Sequence, residues 1–318
     1  MLLSPAHISG SQILEDVSQL KFEFYRAENA SNLTQEIAFL FTNSGKRFRP
    51  ALVYLFGEVF GIDRSLLETY AKAVEVTHTA SLIHDDVIDE SVERRKSPTL
   101  NASFTNTQAI LAGDYLLAHV IGELLKTSTP EITFDLTDAI KNLADGEWLQ
   151  AKLKTQGSAS WKELEEVARK KTGSLMKWSC LAPAKLSQQP RDVQELCAQM
   201  GDDIGLFFQM LDDVNDFNTK SGKPFGADII NGQQNFVTSH LLSHSPQFAQ
   251  ELRHFKQTGE MTILSDIEKS RRVVVEKSIE LEKTLNERFA TLTNSESSHL
   301  IKVFAKMLEK VREAFSPS

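Results

Sequence analysis

The chain has 318 residues, 41% of them hydrophobic and 25% charged, enough apolar material for one large core or two domains. Its formal net charge of −8 offers no basic field to attract a phosphate backbone, which argues against nucleic acid as a partner. Two cysteines, Cys180 and Cys197, exclude a disulfide framework and suit a reducing compartment.

The opening Met1-Leu2-Leu3-Ser4-Pro5 has neither the basic start nor the long apolar stretch of a signal peptide. No apolar run approaches the roughly 18 residues a membrane span needs, so a soluble cytoplasmic protein is expected. Pro50 marks an early joint. Asp63 can cap a helix in which Leu66, Leu67, Tyr70 and Val74 recur at three- and four-residue spacing. Pro98 and Pro130 mark further joints, and Ser160-Trp161-Lys162-Glu163 is a capping box that starts another helix. Pro190, Pro224 and Pro246 follow, and Ile263, Ile267, Val274, Leu281 and Leu285 then repeat at four and seven. Asp145-Gly146 and Asn231-Gly232 lie beside helical patterns rather than between alternating runs, so no hairpin is predicted. The expectation is a single all-α domain over residues 1–318, built of about ten or more helices.

Within that helical pattern, "SLIHDDVIDE" sets Asp85, Asp86, Asp89 and Glu90 behind an apolar run. Like charges four apart each cost a helix about 0.2–0.5 kcal/mol, so either something positive offsets the repulsion or this helix end is simply solvated. The pattern recurs in "FFQMLDDVNDF", where Asp212, Asp213 and Asp216 have the same Asp-Asp-x-x-Asp spacing. One triplet is commonly a solvated face. Two behind buried-looking segments, if their helices face each other, converge six carboxylates on one cavity mouth. Oxygen-only ligands select hard ions, and Mg²⁺ takes one or two carboxylates while phosphate and water fill its remaining positions. A phosphate or diphosphate ester is the implied substrate. Basic residues accompany both triplets: Lys46, Arg47 and Arg49; Arg94, Arg95 and Lys96; Lys170 and Lys171; Lys220 and Lys223. They suit direct charge-assisted hydrogen bonds to the same diphosphates.

These motifs, in this order, resemble those of the trans-isoprenyl diphosphate synthases, the polyprenyl synthetase family. Gly45-Lys46-x-x-Arg49-Pro50 resembles its isopentenyl diphosphate motif, and Asp85-Asp86-x-x-Asp89 with Arg94-Arg95 its first aspartate-rich motif. Lys171-Thr172 and Phe208-Gln209-x-x-Asp212-Asp213-x-x-Asp216 resemble the catalytic pair and the second aspartate-rich motif. Gly222-Lys223-Pro224-x-Gly226-x-Asp228 resembles the loop that follows. The resemblance implies an all-α bundle of helices around a deep central cavity, and a homodimer. It implies about three Mg²⁺ ions, with Mn²⁺ as a substitute, held by Asp85, Asp89 and Asp212 and supported by Asp86, Asp213 and Asp216. Arg94, Lys171 and Lys223 would grip an allylic diphosphate, and Lys46, Arg49, His78 and Arg95 would hold isopentenyl diphosphate. Phe208 would line the substrate site, while Thr172 and Gln209 would stabilise the carbocation. His84, next to Asp85 in sequence but turned about 100° from the aspartate face, is expected to be a packing or supporting residue. The resemblance leaves Glu147 with Gln150 either cavity lining, support for the site or a buried polar pair.

The pattern breaks after Asp228. The family usually carries Gly-Lys-x-Thr-x-Pro there, and this chain reads Gly232-Gln233-Gln234-Asn235-Phe236-Val237, so a lysine is replaced by Gln233. That loss raises the alternative of a weakly active regulatory subunit in a heteromeric enzyme. Product length is read from Thr77, Ala80 and Ser81, all small; the resemblance implies that short-chain members place an aromatic floor at the position of Ala80 or Ser81. A long-chain product of roughly thirty to fifty carbons is expected for a quinone side chain, with transient membrane contact on release. Geranylgeranyl or farnesyl diphosphate synthesis is the shorter alternative, with Phe104 or Tyr115 plugging the tunnel.

Overall fold

The computed structural model describes residues 10–22, 37, 41, 47–94, 97–218, 225–245, 247–248, 250–251, 264–293 and 298–315. These residues are helical almost throughout, and their one sheet is the two-residue antiparallel pairing of β1 (Glu93–Arg94) with β2 (Ser97–Pro98). The chain divides into two compact units, Met1–Ile140 with Trp178–Cys197, and Lys141–Lys177 with Ala198–Ser318.

The first unit contains α1 (Gly10–Gln19), α2 (Phe48–Val59), α3 (Arg64–Ile88), α4 (Leu100–Ser103) and α5 (Asn106–Thr127). Helix α2 is buried continuously from Pro50 to Gly57, because a helix apolar on all sides must be enclosed on all sides. Asp63 caps α3 as its sequence predicts, accepting from the Ser65 N–H (2.8 Å) and hydroxyl (2.6 Å). Arg64 joins three helices through Asp16 of α1 and Glu58 of α2. Arg47, which the sequence grouped with the phosphate-binding cations, is already used: its guanidinium donates to the carbonyls of Val17 and Phe41, both at 2.8 Å. Helices α3 and α5 pack closely at Gly113, where an added Cβ would lie 2.2 Å from His84 Nε2. The sequence reading also missed the length of apolar helix in α5. By length and composition it is long and apolar enough to cross a membrane, with one third of its apolar window buried. Its buried stripe, Ala109, Ala112, Gly113, Leu116, Val120 and Leu124, accounts for only one of its apolar faces.

The second unit takes the C-terminal part of α6 (Pro130–Gln156), then α7 (Trp161–Ala168), a π-helical turn (Arg169–Gly173) and the start of α8 (Ser174–Leu186). It continues through most of α9 (Arg191–Asn215), α10 (Ala227–Ile230), α11 (Phe236–His244), α12 (Leu264–Leu292) and α13 (Ser298–Phe315). The capping box at Ser160 forms: Ser160 N–H donates to Glu163 Oε2 (2.8 Å), and Glu163 N–H donates to Ser160 Oγ (3.3 Å). Phe289 of α12 stacks on Phe304 of α13 at 4.2 Å.

The tightest feature of this unit is the crossing of α9 over the π turn. A Cβ on Gly205 would lie 2.3 Å from Gly173 Cα, and one on Gly201 would lie 2.4 Å from Lys177 Cα. The two backbones are in contact, which only glycine permits. Beside the crossing, Arg169 pairs with Asp202 and with Asp203 (2.9 Å), and Arg288 of α12 pairs with Asp203 at 2.5 Å. Since the obstacle at Gly205 is backbone and cannot rotate away, Gly205→Ala is expected to cost about 1–3 kcal/mol of stability. Urea unfolding measures it; an unchanged midpoint would show that the crossing has room to spare.

Candidate active site

In the first unit α3 carries the first triplet in its last turn. The helix ends at Ile88; Asp89 caps it, its N–H donating to Asp85 O at 2.8 Å, and Glu90 then takes a left-handed φ of 53°. Negative charge at a helix C-terminus opposes the helix dipole, so these carboxylates sit there against the local electrostatics. Asp86 is buried and satisfied within the protein, since Arg94 Nε reaches its Oδ1 at 2.9 Å and Nη2 does so at 2.7 Å. Arg94, expected on a diphosphate, thus also pairs with Asp86 through Nε and Nη2. Asp85 is half-buried and Asp89 exposed.

His78 lies two turns before Asp85, half-buried. His84 is held outside the triplet, its Nε2 3.1 Å from Ile110 O and 3.6 Å from Asp114. Thr77 and Ala80 have no accessible surface, so no open channel borders them; Ser81 is half-buried and its hydroxyl donates to His78 O at 2.8 Å. Arg49 stands beside Glu75. Burial brings its guanidinium down to about 10 against the opposing pull of Glu75, and its Nε is enclosed without a hydrogen-bond partner. An orphaned donor on a desolvated cation is a ready site for an anion. Lys46 and Arg95 lie outside the described residues.

In the second unit the π turn and α9 assemble a hydrogen-bonded chain. Thr172 Oγ1 donates to Gln209 Oε1 (3.0 Å), Gln209 Nε2 donates to Asp213 Oδ1 (2.8 Å), and Phe236 N–H donates to Asp213 Oδ2 (2.8 Å). Each link fixes the direction of the next, so the Gln209 amide has one satisfactory orientation. Lys171 is held by Glu147 and donates to Gln150 Oε1 at 3.1 Å. The glycine of that motif allows the approach, because a Cβ on Gly146 would fall 2.7 Å from Lys171 Cγ. Glu147 and Gln150 thus belong to the site as supports of Lys171, a role their spacing alone left open. Ser174 donates its hydroxyl to Lys170 O (2.6 Å) across the π turn, a geometry that recurs at functional sites. Phe208 is half-buried, edge-on to Phe207.

The carboxylates here are crowded. Burial, then the neighbouring charge of Asp228, push the Asp213 carboxyl well above the usual range, and the bonds from Phe236 and Gln209 oppose this. Asp216 accepts from the Asp228 N–H at 3.3 Å, and Asp228 accepts from Asn235 Nδ2 at 2.9 Å. Asp212 is half-buried. Lys223 lies outside the described residues. Among the described residues, no three His, Cys, Asp or Glu side chains form a metal site by themselves. The donor set nevertheless fits Mg²⁺: it is all carboxylate, crowded, and needs to supply only one or two ligands per ion when phosphate and water supply the rest.

Comparison with known proteins agrees with this chemistry. The family model for polyprenyl synthetase matches residues 30–270. A prenyl transferase of Synechocystis sp. is 36% identical over 229 residues, covering 70% of this chain and 71% of that protein. The decaprenyl-diphosphate synthase of Dictyostelium discoideum is 35% identical over 254 residues, 78% of this chain, which spans only 54% of that relative's length. The crystal structure of a decaprenyl diphosphate synthase from Rhodobacter capsulatus matches with a TM-score of 0.83 at 25% identity, covering 96% of this chain and 97% of that one. With both aspartate triplets and the lysine–threonine pair inside the matched span, this chain belongs to the polyprenyl synthetase family.

Proposed function

We propose that the protein is an all-trans polyprenyl diphosphate synthase, adding isopentenyl diphosphate repeatedly to an allylic diphosphate to give a long-chain product. The observation that carries the reading is the fixed chain Thr172–Gln209–Asp213 beside a lysine held by Glu147 and Gln150. Bound Mg²⁺, held by Asp85, Asp89 and Asp212 with Asp86, Asp213 and Asp216 in support, would neutralise the departing diphosphate. Lys171 hydrogen-bonds that diphosphate as the allylic C–O bond breaks. Thr172 and Gln209 present oxygen dipoles to the carbocation and no nucleophile strong enough to trap it. Arg49 and His78 hold isopentenyl diphosphate, whose double bond forms the new C–C bond; the released diphosphate accepts the proton that is lost. All six aspartates are retained, which favours a catalytic chain over a regulatory subunit.

Purified protein with Mg²⁺, isopentenyl diphosphate and farnesyl diphosphate should make products longer than the primer, and a chelator should stop it. Asp85→Ala and Asp212→Ala should each lower turnover by several orders of magnitude with the fold kept; normal kinetics in either would remove that triplet from the chemistry. Arg49→Gln should raise KM for isopentenyl diphosphate by about tenfold and leave the allylic KM alone, the reverse pattern meaning that the two sites are exchanged.

Long-chain synthesis is supported by the decaprenyl relatives and by the small, half-buried side chain of Ser81. Enclosure of Ala80 makes an aromatic there an overpacking change, whereas Ser81 has surface to spare. Ser81→Phe should therefore shorten the product while the first additions continue at a normal rate. Unaltered product length in a folded variant would place the limit elsewhere.

A cytoplasmic homodimer, with brief membrane contact on product release, is part of the same reading. Helix α5 supports it: Leu111, Tyr115, Ala118, Gly122 and Leu125 repeat at four and three, the spacing of a self-packing helix, and Leu111 and Leu125 are each 59% exposed. Leu111→Glu combined with Leu125→Glu should halve the mass seen by sedimentation equilibrium. A wild-type monomer, or a variant still dimeric, would refute this face.

A further inference from the structure

The segment that follows the second triplet lacks the family's lysine at Gln233, and residues 229–239 on either side of it carry no lysine or arginine. The structure assigns that charge to Lys154 of α6, an inference that rests on the proposed prenyl transfer for its substrate. Lys154 stands four residues beyond Gln150 and eight beyond Gly146, so it continues the α6 face that meets the π turn. Its stem lies against the loop: Cε and Cγ are 3.7 and 3.9 Å from where a Cβ on Gly232 would stand, one residue from Gln233. Gly232 adopts a φ of 74°, a left-handed turn, and the next N–H, that of Gln233, donates to Asp228 O at 2.8 Å. The Asp228 N–H in turn donates to Asp216 at 3.3 Å, so this short segment is tied directly to the second triplet.

Charge accounting on the same face points the same way. Lys171 is paired with Glu147, and Lys170 lies 3.6 Å from Asp145. Lys154 is exposed and takes part in no ion pair among the described residues. A long apolar stem alongside Gly232, with its ammonium in no ion pair among the described residues, is an arrangement by which lysine can carry charge to a ligand. The ligand class is a diphosphate, free or as the head of an allylic ester. A lysine from a different helix thus takes over the function that the loop residue has lost, and Gln233 becomes tolerable.

The test is a double-mutant cycle with Lys154→Gln, Gln233→Lys and both together, in the full chain. Two readouts are taken: calorimetric binding of inorganic diphosphate with Mg²⁺, and KM for farnesyl diphosphate. Lys154→Gln should weaken both by about fivefold, the effect of one partly screened charge, and leave KM for isopentenyl diphosphate unchanged. Gln233→Lys alone should change either by less than about twofold, since the charge is already supplied, yet restore wild-type values in the double variant. Loss of packing alone would not be rescued by a lysine on another segment. Equal binding in wild type and Lys154→Gln, absence of rescue, or an equal gain from Gln233→Lys in both backgrounds would each overturn the assignment. If the wild type turns over no allylic primer, the prenyl-transfer reading fails, and the diphosphate titrations still decide Lys154 by themselves.

Discussion

Contact between two backbones, at Gly205 of α9 and Gly173 of the π turn, is the constraint on which the second triplet depends. Helices normally pack with axes about 8–10 Å apart, a separation set by their side chains. Without side chains at the crossing, α9 comes close enough for a short threonine to reach the Gln209 amide, and that amide then orients Asp213. Gly146 extends the same device to α6, whose Glu147 and Gln150 meet Lys171. The charge network of Arg169, Asp202, Asp203 and Arg288 surrounds the crossing and ties it to α12. Removing one member would strand a partly buried charge, which costs more than the pair itself is worth.

The two triplets solve one electrostatic problem in the same way. Each buries its second aspartate and answers it from within the protein: Asp86 with the Arg94 guanidinium, Asp213 with a backbone N–H and an amide. The first aspartate of each, Asp85 and Asp212, keeps accessible surface. A rigid, satisfied carboxylate next to a more accessible one holds the helix end in register. Identical spacing in the sequence therefore hides two different duties within each triplet.

What the sequence made legible was local chemistry. The cap at Asp63, the box at Ser160 and the apolar stripes of α3 and α12 depend on residues within a turn or two, and the structure contains them. What it concealed depends on partners far along the chain. Arg47 looked like part of a phosphate-binding run because its true acceptors, carbonyls of Val17 and Phe41, carry no signature. A glycine inside a helical pattern announces a close approach without saying to what, so the crossing at Gly201 and Gly205 was invisible, and so was the fit of Gly113 beneath His84. Small residues are equally ambiguous. Ala80 reads as the wall of an open tunnel, yet small side chains serve close packing as readily, and Ala80 is enclosed.

The division into two compact units has a consequence for substitutions. Ser81, the side chain proposed to limit product length, belongs to one unit, and the Lys171–Thr172–Gln209–Asp213 assembly belongs to the other. With Ser81 in that role, substitutions that alter how far a chain grows would fall in a different packing environment from those around Thr172 and Gln209. Under that proposal a change at Ser81 and a change in the Thr172–Gln209–Asp213 chain would share no packing partner, and their effects on product length and on rate would add independently.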